Sequence, residues 1–166
     1  ANFLRVGGGA RPVAMGEAYA ALADDAHAVY YNPAWLAVLE RQEVTLMHNK
    51  FFEGVSQQYG AYAYPHWQYG TFAAAFTMLT VEPFDAYTAN DQPDGRVDAQ
   101  DLAVSGAWAR DVPGLKGLSI GVAGKIINSR LHTYSAQAGA LDAGLLWRQD
   151  PHDGVSLAFA IRNLGT

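Results

Sequence analysis

The feature that most limits what this chain can fold into is a two-residue alternation whose large and small faces both fit poorly in water. In the stretch 117–130, Leu118, Ile120, Val122 and Ile126 share one face, and Ser119, Gly121, Ala123 and Lys125 share the other. The stretch 135–149 sets Leu141, Leu145 and Trp147 against Ala138, Ala140, Asp142 and Arg148. The stretch 155–163 sets Val155, Leu157, Phe159 and Ile161 against Ser156, Ala158, Ala160 and Arg162, and 69–82 sets Phe72, Phe76 and Met78 against Thr71, Ala73, Ala75 and Thr77. A period of two is the mark of a half-buried strand. Further strands are predicted at 43–49, 56–65 and 101–110, seven in all. A soluble sandwich would carry Lys, Glu, Thr and Gln on its outer face. Here the face opposite the large residues is mostly Ser, Ala and Gly with isolated charges at Lys125, Asp142 and Arg162. Such a face suits a crowded lumen, with the large apolar face turned to lipid. The expected fold is therefore all-β, an antiparallel β-barrel wall.

Composition agrees with strands packed on small residues. Half of the 166 residues are hydrophobic and only 16% are charged, against roughly a quarter charged in soluble domains. A formal net charge of −5 argues against nucleic acid as a partner. The absence of cysteine excludes a disulfide framework and thiolate metal sites. No stretch reaches the ~20 apolar residues of a membrane helix, which leaves a strand-built membrane protein open.

Residues 1–40 read as a separate segment ahead of the strands at 41–166. Gly7-Gly8-Gly9 reads as a flexible lead-in, since a glycine triplet without a preceding strand makes a poor phosphate loop. A short helix is expected over Ala14–Ala23, ending near Asp24-Asp25, with those carboxylates as helix-capping groups. Asn32-Pro33 then forces a turn, because a residue before proline avoids the helical region. A compact Gly/Ala-rich segment in front of a strand repeat suggests a plug. Connections after strands two, four and six read as short turns (Pro65-His66-Trp67, Asp111 to Gly114, Asp150 to Gly154). Those after strands one and three read as longer, with 83–100 the longest loop. This asymmetry is the habit of outer-membrane barrels, and it puts Tyr64, Trp67, Tyr69 and Trp147 near the periplasmic interface.

Chemistry-bearing motifs are sparse. The stretch from Asn90 to Asp101 echoes a twelve-residue calcium loop, with Gly95 at the sixth place and Asp94, Asp98 and Asp101 as oxygen donors. Asn90, Gln92 and Pro93 depart from that pattern, so a solvated acidic turn is the preferred reading. The five histidines are dispersed without metal-ligand spacing, and no serine sits in a nucleophile elbow. The chain is thus expected to be non-enzymatic and without a cofactor. Lys125, Asp142 and Arg162 lie on neighbouring strands and are expected to form a ladder inside the lumen that braces the wall or anchors the plug. Lys125 or Arg162 is also the group that would meet the carboxylate of a bound fatty acid.

Several motifs together resemble a known family. Phe3-Leu4-Arg5-Val6-Gly7, Gly9-Ala10-Arg11, Ala14-Met15-Gly16, Ala23-Asp24-Asp25-Ala26 and Tyr31-Asn32-Pro33-Ala34 look like the PorV/PorQ family of outer-membrane proteins, relatives of the long-chain fatty-acid transporter FadL. The likeness continues through Glu43-Val44, Met47-His48-Asn49, Asp101-Leu102-Ala103 and Asn163-Leu164-Gly165. It implies a bacterial outer-membrane barrel of about fourteen strands with Met15, Gly16, Asp24, Asp25, Asn32, Pro33 and Ala34 in the plug motif. It further implies transport of hydrophobic molecules, or a part in type IX-like protein secretion, with membrane lipid, hydrophobic ligands or secretion proteins as partners. Trp35 stands where that family commonly has glycine. Seven strands are half of such a barrel, so the sequence implies either the N-terminal half of a longer protein or self-association through strand edges. A soluble β-sandwich binding module and a self-assembling structural subunit are the alternatives.

Overall fold

The computed structural model describes residues 2–87, 90, 92–150 and 154–165. It is all-β beyond a short N-terminal segment. Strands β1 (Glu43–Lys50), β2 (Val55–His66), β3 (Gly70–Tyr87), β4 (Pro93–Asp111), β5 (Leu118–Leu131), β6 (Tyr134–Arg148) and β7 (Ser156–Gly165) form one antiparallel sheet in sequence order. Among the described residues there is one sheet, not two packed face to face, so the sandwich alternative does not hold.

Burial along the strands is inverted relative to a soluble protein. The large residues point away from the N-terminal segment and are exposed, with Leu46 at 76%, Ile126 at 73% and Leu157 at 62%. The residues facing that segment are mostly small, and Ala63, Ala109 and Ser119 are almost completely buried. Alternation places successive side chains on opposite faces, so the sequence pattern alone fixes which residues line which side. The faces expected for β3, β5, β6 and β7 are those observed.

The sheet curls around the segment. Laid flat, six spacings of about 4.8 Å would part β1 from β7 by about 29 Å. Yet His27 Nε2 lies 3.4 Å from Thr45 Oγ1 on β1, and the Tyr30 carbonyl accepts from Arg162 on β7 at 3.3 Å. Two residues three apart in the chain thus touch both edge strands. The register is slanted as well. One inward row runs Glu43, Ala63, Ala73, Ala107, Ala123, Asp142. It starts at the first residue of β1 and arrives well above the foot of β6 at Arg148. That stagger is about one residue per strand pair, the shear a closed barrel requires.

Several expectations are corrected. The helix spans Ala10–Ala14 (α1), not Ala14–Ala23. It stops because Gly16 and Glu17 both take positive φ, at 62° and 63°, a conformation incompatible with a right-handed turn. The 83–100 loop is largely strand: β3 runs to Tyr87 and β4 begins at Pro93. Register shifts between Val81 and Phe84 and between Asp85 and Tyr87 absorb Pro83, which has no N–H for the ladder. The connection after β1 is only 51–54, and β5 joins β6 through 132–133. The predicted contrast of long loops and short turns is therefore absent; β3 and β4 themselves extend instead.

Gly7-Gly8-Gly9 is not a flexible lead-in either. All three are buried, and a Cβ on Gly8 would meet the Tyr59 ring at 3.4 Å, while one on Gly9 would meet the His27 ring at 2.5 Å. Gly9, at φ 95°, passes the His27 ring where no side chain fits, and Gly8 runs in van der Waals contact with Tyr59.

Candidate functional site

The candidate site is the contact between the N-terminal segment and the inner face of the sheet. Its centre is a second helical turn, α2 (Ala28–Tyr31), followed by a 3₁₀ turn at Pro33–Val38. Asn32 is extended (φ −159°) and its Oδ1 accepts from the Ala34 N–H at 3.0 Å, with Pro33 at the first position of the turn. This is the arrangement an Asn-Pro pair favours, an N-cap side chain ahead of a residue with no N–H to satisfy. Asn32 is fully buried. Its Nδ2 donates to the Ala20 carbonyl at 3.0 Å and to the Leu145 carbonyl of β6 at 3.3 Å. One side chain therefore closes its own turn, holds the preceding loop and reaches the wall.

The wall is shaped to receive that turn. Gly121 and Gly144 are register partners on β5 and β6, and the flanking positions in the row are Ala109 and Ala160. A Cβ on Gly144 would collide with Asn32 Oδ1, and one on Gly121 would collide with the backbone of Pro33 and Ala34. Inward glycines in a strand interior mark a close backbone approach. Trp35 departs from the glycine expected there without disturbing the turn: its ring is buried and its Nε1 donates to the Ala20 carbonyl at 3.1 Å.

The predicted lumen charges do come together. Lys125 Nζ lies 2.6 Å from Asp142 Oδ2, both side chains almost wholly buried. The contact is ionic rather than an aligned hydrogen bond, since the aligned bond from Nζ goes to Asn163 Oδ1 at 2.9 Å. Asn163 N–H returns a bond to Asp142 Oδ1 at 2.7 Å. Asn163 takes a left-handed φ of 57° at a shift in the β6–β7 ladder between Leu141 and Ala143, so a bulge aims these groups at one another. Arg162 is the third member. Its guanidinium stands over the rings of Tyr30 and Tyr31 at 5.6 and 5.5 Å, and Lys125 Nζ is 5.8 Å from the Tyr30 ring. Both cations are committed to the segment and the wall, which favours anchoring over recognition of a carboxylate ligand.

The opposite side of the segment is held differently. Tyr30 Oη donates to the carbonyls of Leu4 and Val6 at 2.6 and 2.9 Å, and Tyr31 Oη donates to Gly8. Burial pushes both phenols up, Tyr31 to about 12, so each is a neutral donor. Gln57 of β2 donates to the Val6 carbonyl at 3.2 Å, and Glu43 of β1 accepts from the Ala26 N–H at 3.1 Å. His27 stacks on Tyr59 with ring centroids 5.4 Å apart. Asp25 caps no helix by the expected route: its Oδ1 accepts from the His27 N–H at 2.9 Å and faces His27 Nδ1 at 3.1 Å. Its Oδ2 accepts from Tyr19 Oη at 3.0 Å. Asp24 pairs with Arg11 at the surface. Met15 and Gly16 lie in the turn after α1, where a Cβ on Gly16 would meet nothing, so they shape the chain rather than touch the wall.

The calcium expectation meets a different backbone. Asp98 and Asp101 lie on β4, where residues three apart face opposite sides, and Asp98 is 3.0 Å from Arg130. The side chain of Asp94, and residues 151–153 of the expected turn, lie outside the described residues. Among the described residues no group of three His, Asp or Glu side chains could hold a metal ion.

Sequence reading missed Gly121, Gly144, Gln57, Tyr59 and Asn163. For the glycines a signal existed, an inward register in strands otherwise lined by Ala and Ser. For Gln57 and Tyr59 the signal was two large polar residues on the face that β3, β5 and β7 fill with small ones.

No curated protein matches the chain. A family model matches residues 2–139, from the start of the segment into β6, taking in Asn32, Gly121 and Lys125 and stopping short of Asp142. The chain belongs to the family described as Uncharacterised protein family (UPF0164).

Proposed function

We propose that this chain forms part of the wall of a bacterial outer-membrane β-barrel whose N-terminal segment is a plug, and that it serves passage of hydrophobic molecules. The inverted burial of the strands carries this reading: large apolar side chains outside, small and polar ones inside. Such a surface is costly in water, since contiguous apolar patches on soluble monomers are rarely above a few hundred Å². In a bilayer it is the required one. Aromatic residues near both ends of the outer face support the same reading. Trp67, Tyr69 and Trp147 stand at one end, with Phe52 at the other, all exposed, as interface girdles are. The curl and stagger of the sheet support a wall bent toward closure.

Of the two uses that the family resemblance implies, gated passage fits a buried segment wired to both edges of the wall. The membrane reading is checked by flotation. The protein should float with lipid vesicles and stay folded in detergent, whereas a folded protein soluble without detergent overturns it. Gating is checked with a lock. The chain has no cysteine, so Ala26→Cys with Glu43→Cys introduces one disulfide between segment and β1. Oxidation should stop uptake of a hydrophobic fluorophore and reductant should restore it; uptake indifferent to the lock overturns the gating role.

A further inference from the structure

At the short-turn end, one row of the outer face carries a cation without a carboxylate to answer it. Across the register it runs His66 on β2, Gly70 beside Arg110, then Ile120, Leu145 and Phe159. A Cβ on Gly70 (φ 87°) would meet Arg110 Cβ at 2.8 Å, so the arginine stands beside a residue with no side chain. Strand alternation puts His66 and Arg110 on the same, outward side. Asp111 faces the segment instead, where it accepts from the buried Ser119 hydroxyl at 2.6 Å. Among the described residues Arg110 enters no ion pair, side-chain hydrogen bond or cation–ring contact.

His66 supplies a second donor to the same row. Its Nδ1 accepts from the N–H groups of Gln68 and Tyr69 at 3.2 and 3.3 Å, which leaves the neutral ring's proton on Nε2. The ring stacks on Tyr69 with centroids 4.8 Å apart, so the turn holds the imidazole in place. His66 and Arg110 arise two strand spacings apart, about 10 Å, with only Gly70 between them. An anion with several oxygens can span that gap. The next row along the outer face is Tyr64, Phe72, Trp108 and Val122, and Trp108 Nε1 donates to the Tyr69 carbonyl at 2.8 Å. Two polar donors thus lie one row beyond an apolar and aromatic belt.

Resting on the membrane reading above, we infer that Arg110 and His66 bind the phosphate of a membrane phospholipid whose acyl chains lie over Phe72, Trp108 and Val122. A guanidinium presents paired N–H donors to phosphate oxygens, and His66 Nε2–H serves a further one. Both donors act on the phosphate, so the site takes glycerophospholipids as a class and rejects the same lipid without its phosphate.

The test offers the purified protein, in detergent, equal amounts of phosphatidylglycerol and of diacylglycerol with the same chains. Lipid retained after dilution is counted by native mass spectrometry. Phosphatidylglycerol should be retained about tenfold over diacylglycerol, the worth of a charge-assisted hydrogen bond. Arg110→Gln should abolish that preference. His66→Phe, which keeps a ring against Tyr69, should lower it about threefold. Arg130→Gln removes a cation at the opposite end of the outer face, one paired with Asp98, and should leave the preference unchanged. Equal retention of the two lipids, or a preference that survives Arg110→Gln, overturns the inference. A preference lost equally in Arg130→Gln would mark attraction to net charge and overturn the site. Displacement of the lipid by inorganic phosphate at equal concentration would assign the site to a free anion and overturn the lipid. Protein that floats with vesicles yet shows no preference loses this site alone, whereas protein that floats with none loses the membrane reading itself.

Discussion

The N-terminal segment is held to β1 and β2 by one kind of chemistry and to β5, β6 and β7 by another. On the β1–β2 side the polar contacts are single side-chain hydrogen bonds, Glu43 with Ala26, Gln57 with Val6 and Thr45 with His27, beside the buried Tyr59 ring on which His27 stacks. On the β5–β7 side the backbone of Asn32–Ala34 lies in a trough of Gly121 and Gly144, beside a buried ion pair and two cations over tyrosine rings. A side-chain hydrogen bond contributes about 0.5–1.5 kcal/mol net and is readily exchanged for water. A close backbone fit has no such substitute, because closely packed interiors tolerate little change of volume. If the segment lifts as proposed above, the difference makes β5–β7 its seat and β1–β2 the side that releases it.

The largest expected effect tests the seat at its charges. Lys125→Met should cost about 3–5 kcal/mol, because Asp142 is left buried without its cation. The double variant Lys125→Met with Asp142→Leu should recover much of that loss, as two well-packed apolar residues often replace a buried pair at little cost. Urea titrations of the three proteins in detergent measure this, and a single variant as stable as the parent would refute the seat.

Next comes the trough. Gly144→Ala puts a methyl group onto Asn32 Oδ1 and should cost about 1–3 kcal/mol by overpacking, with proteolysis of the segment accelerated in proportion. Gly106→Ala is its control. Gly106 has a register partner in Gly124 on β5, and a Cβ there would meet nothing within 4 Å. The two substitutions are chemically identical, and Gly106 lies on the outward face away from the segment, so it reports what a methyl group costs a strand glycine without the docked turn. Equal behaviour would dissolve the contrast between the two sides.

These glycines also show where sequence stops being informative. The alternation of Leu118 through Ile126 and Val155 through Ile161 located the strands and assigned their faces, because the strand period is fixed by backbone geometry. Lys125, Asp142 and Arg162 could be gathered by the same rule, since consecutive antiparallel strands are neighbours. What a period of two does not contain is register, and register alone pairs Gly121 with Gly144 and turns two unremarkable glycines into a trough. It also does not contain the bulge at Asn163, without which Lys125 and Asp142 lack their third partner. The 83–100 stretch failed for the converse reason. Its Pro, Gly and Asp content signals turns, yet β3 and β4 shift register around Pro83 and continue.

A smaller effect is expected on the β1–β2 side. Glu43→Gln keeps the size of the side chain, weakens its bond to the Ala26 N–H and removes its charge from the exposed Arg41 guanidinium 3.8 Å away. It should cost under about 1 kcal/mol while speeding cleavage near Ala26 relative to cleavage near Asn32. If both sites respond equally, the segment moves as one body and no side is the door.

The smallest effect is pH-dependent and comes from Asp25, which sits between the two halves of the segment. Burial opposes its charge, but the His27 side chain and N–H and the Tyr19 hydroxyl outweigh that and hold its carboxyl below the usual carboxylate range. A carboxyl depressed in the folded state stabilises the fold above its unfolded value, about 3.9, and loses that contribution as the pH falls through the lower folded value. The segment should therefore loosen only on the acid side of about pH 4. Asp25 is 28% exposed in its side chain, so solvent screening keeps the change modest. Asp25→Asn retains an oxygen for the His27 N–H but cannot titrate, and it should flatten the acid limb of segment proteolysis measured from pH 6 to pH 3. Since Asp25 faces His27 and Tyr19 rather than the glycine trough, the same variant should leave cleavage near Asn32 unchanged across that range, which separates a local acid response from loss of the seat.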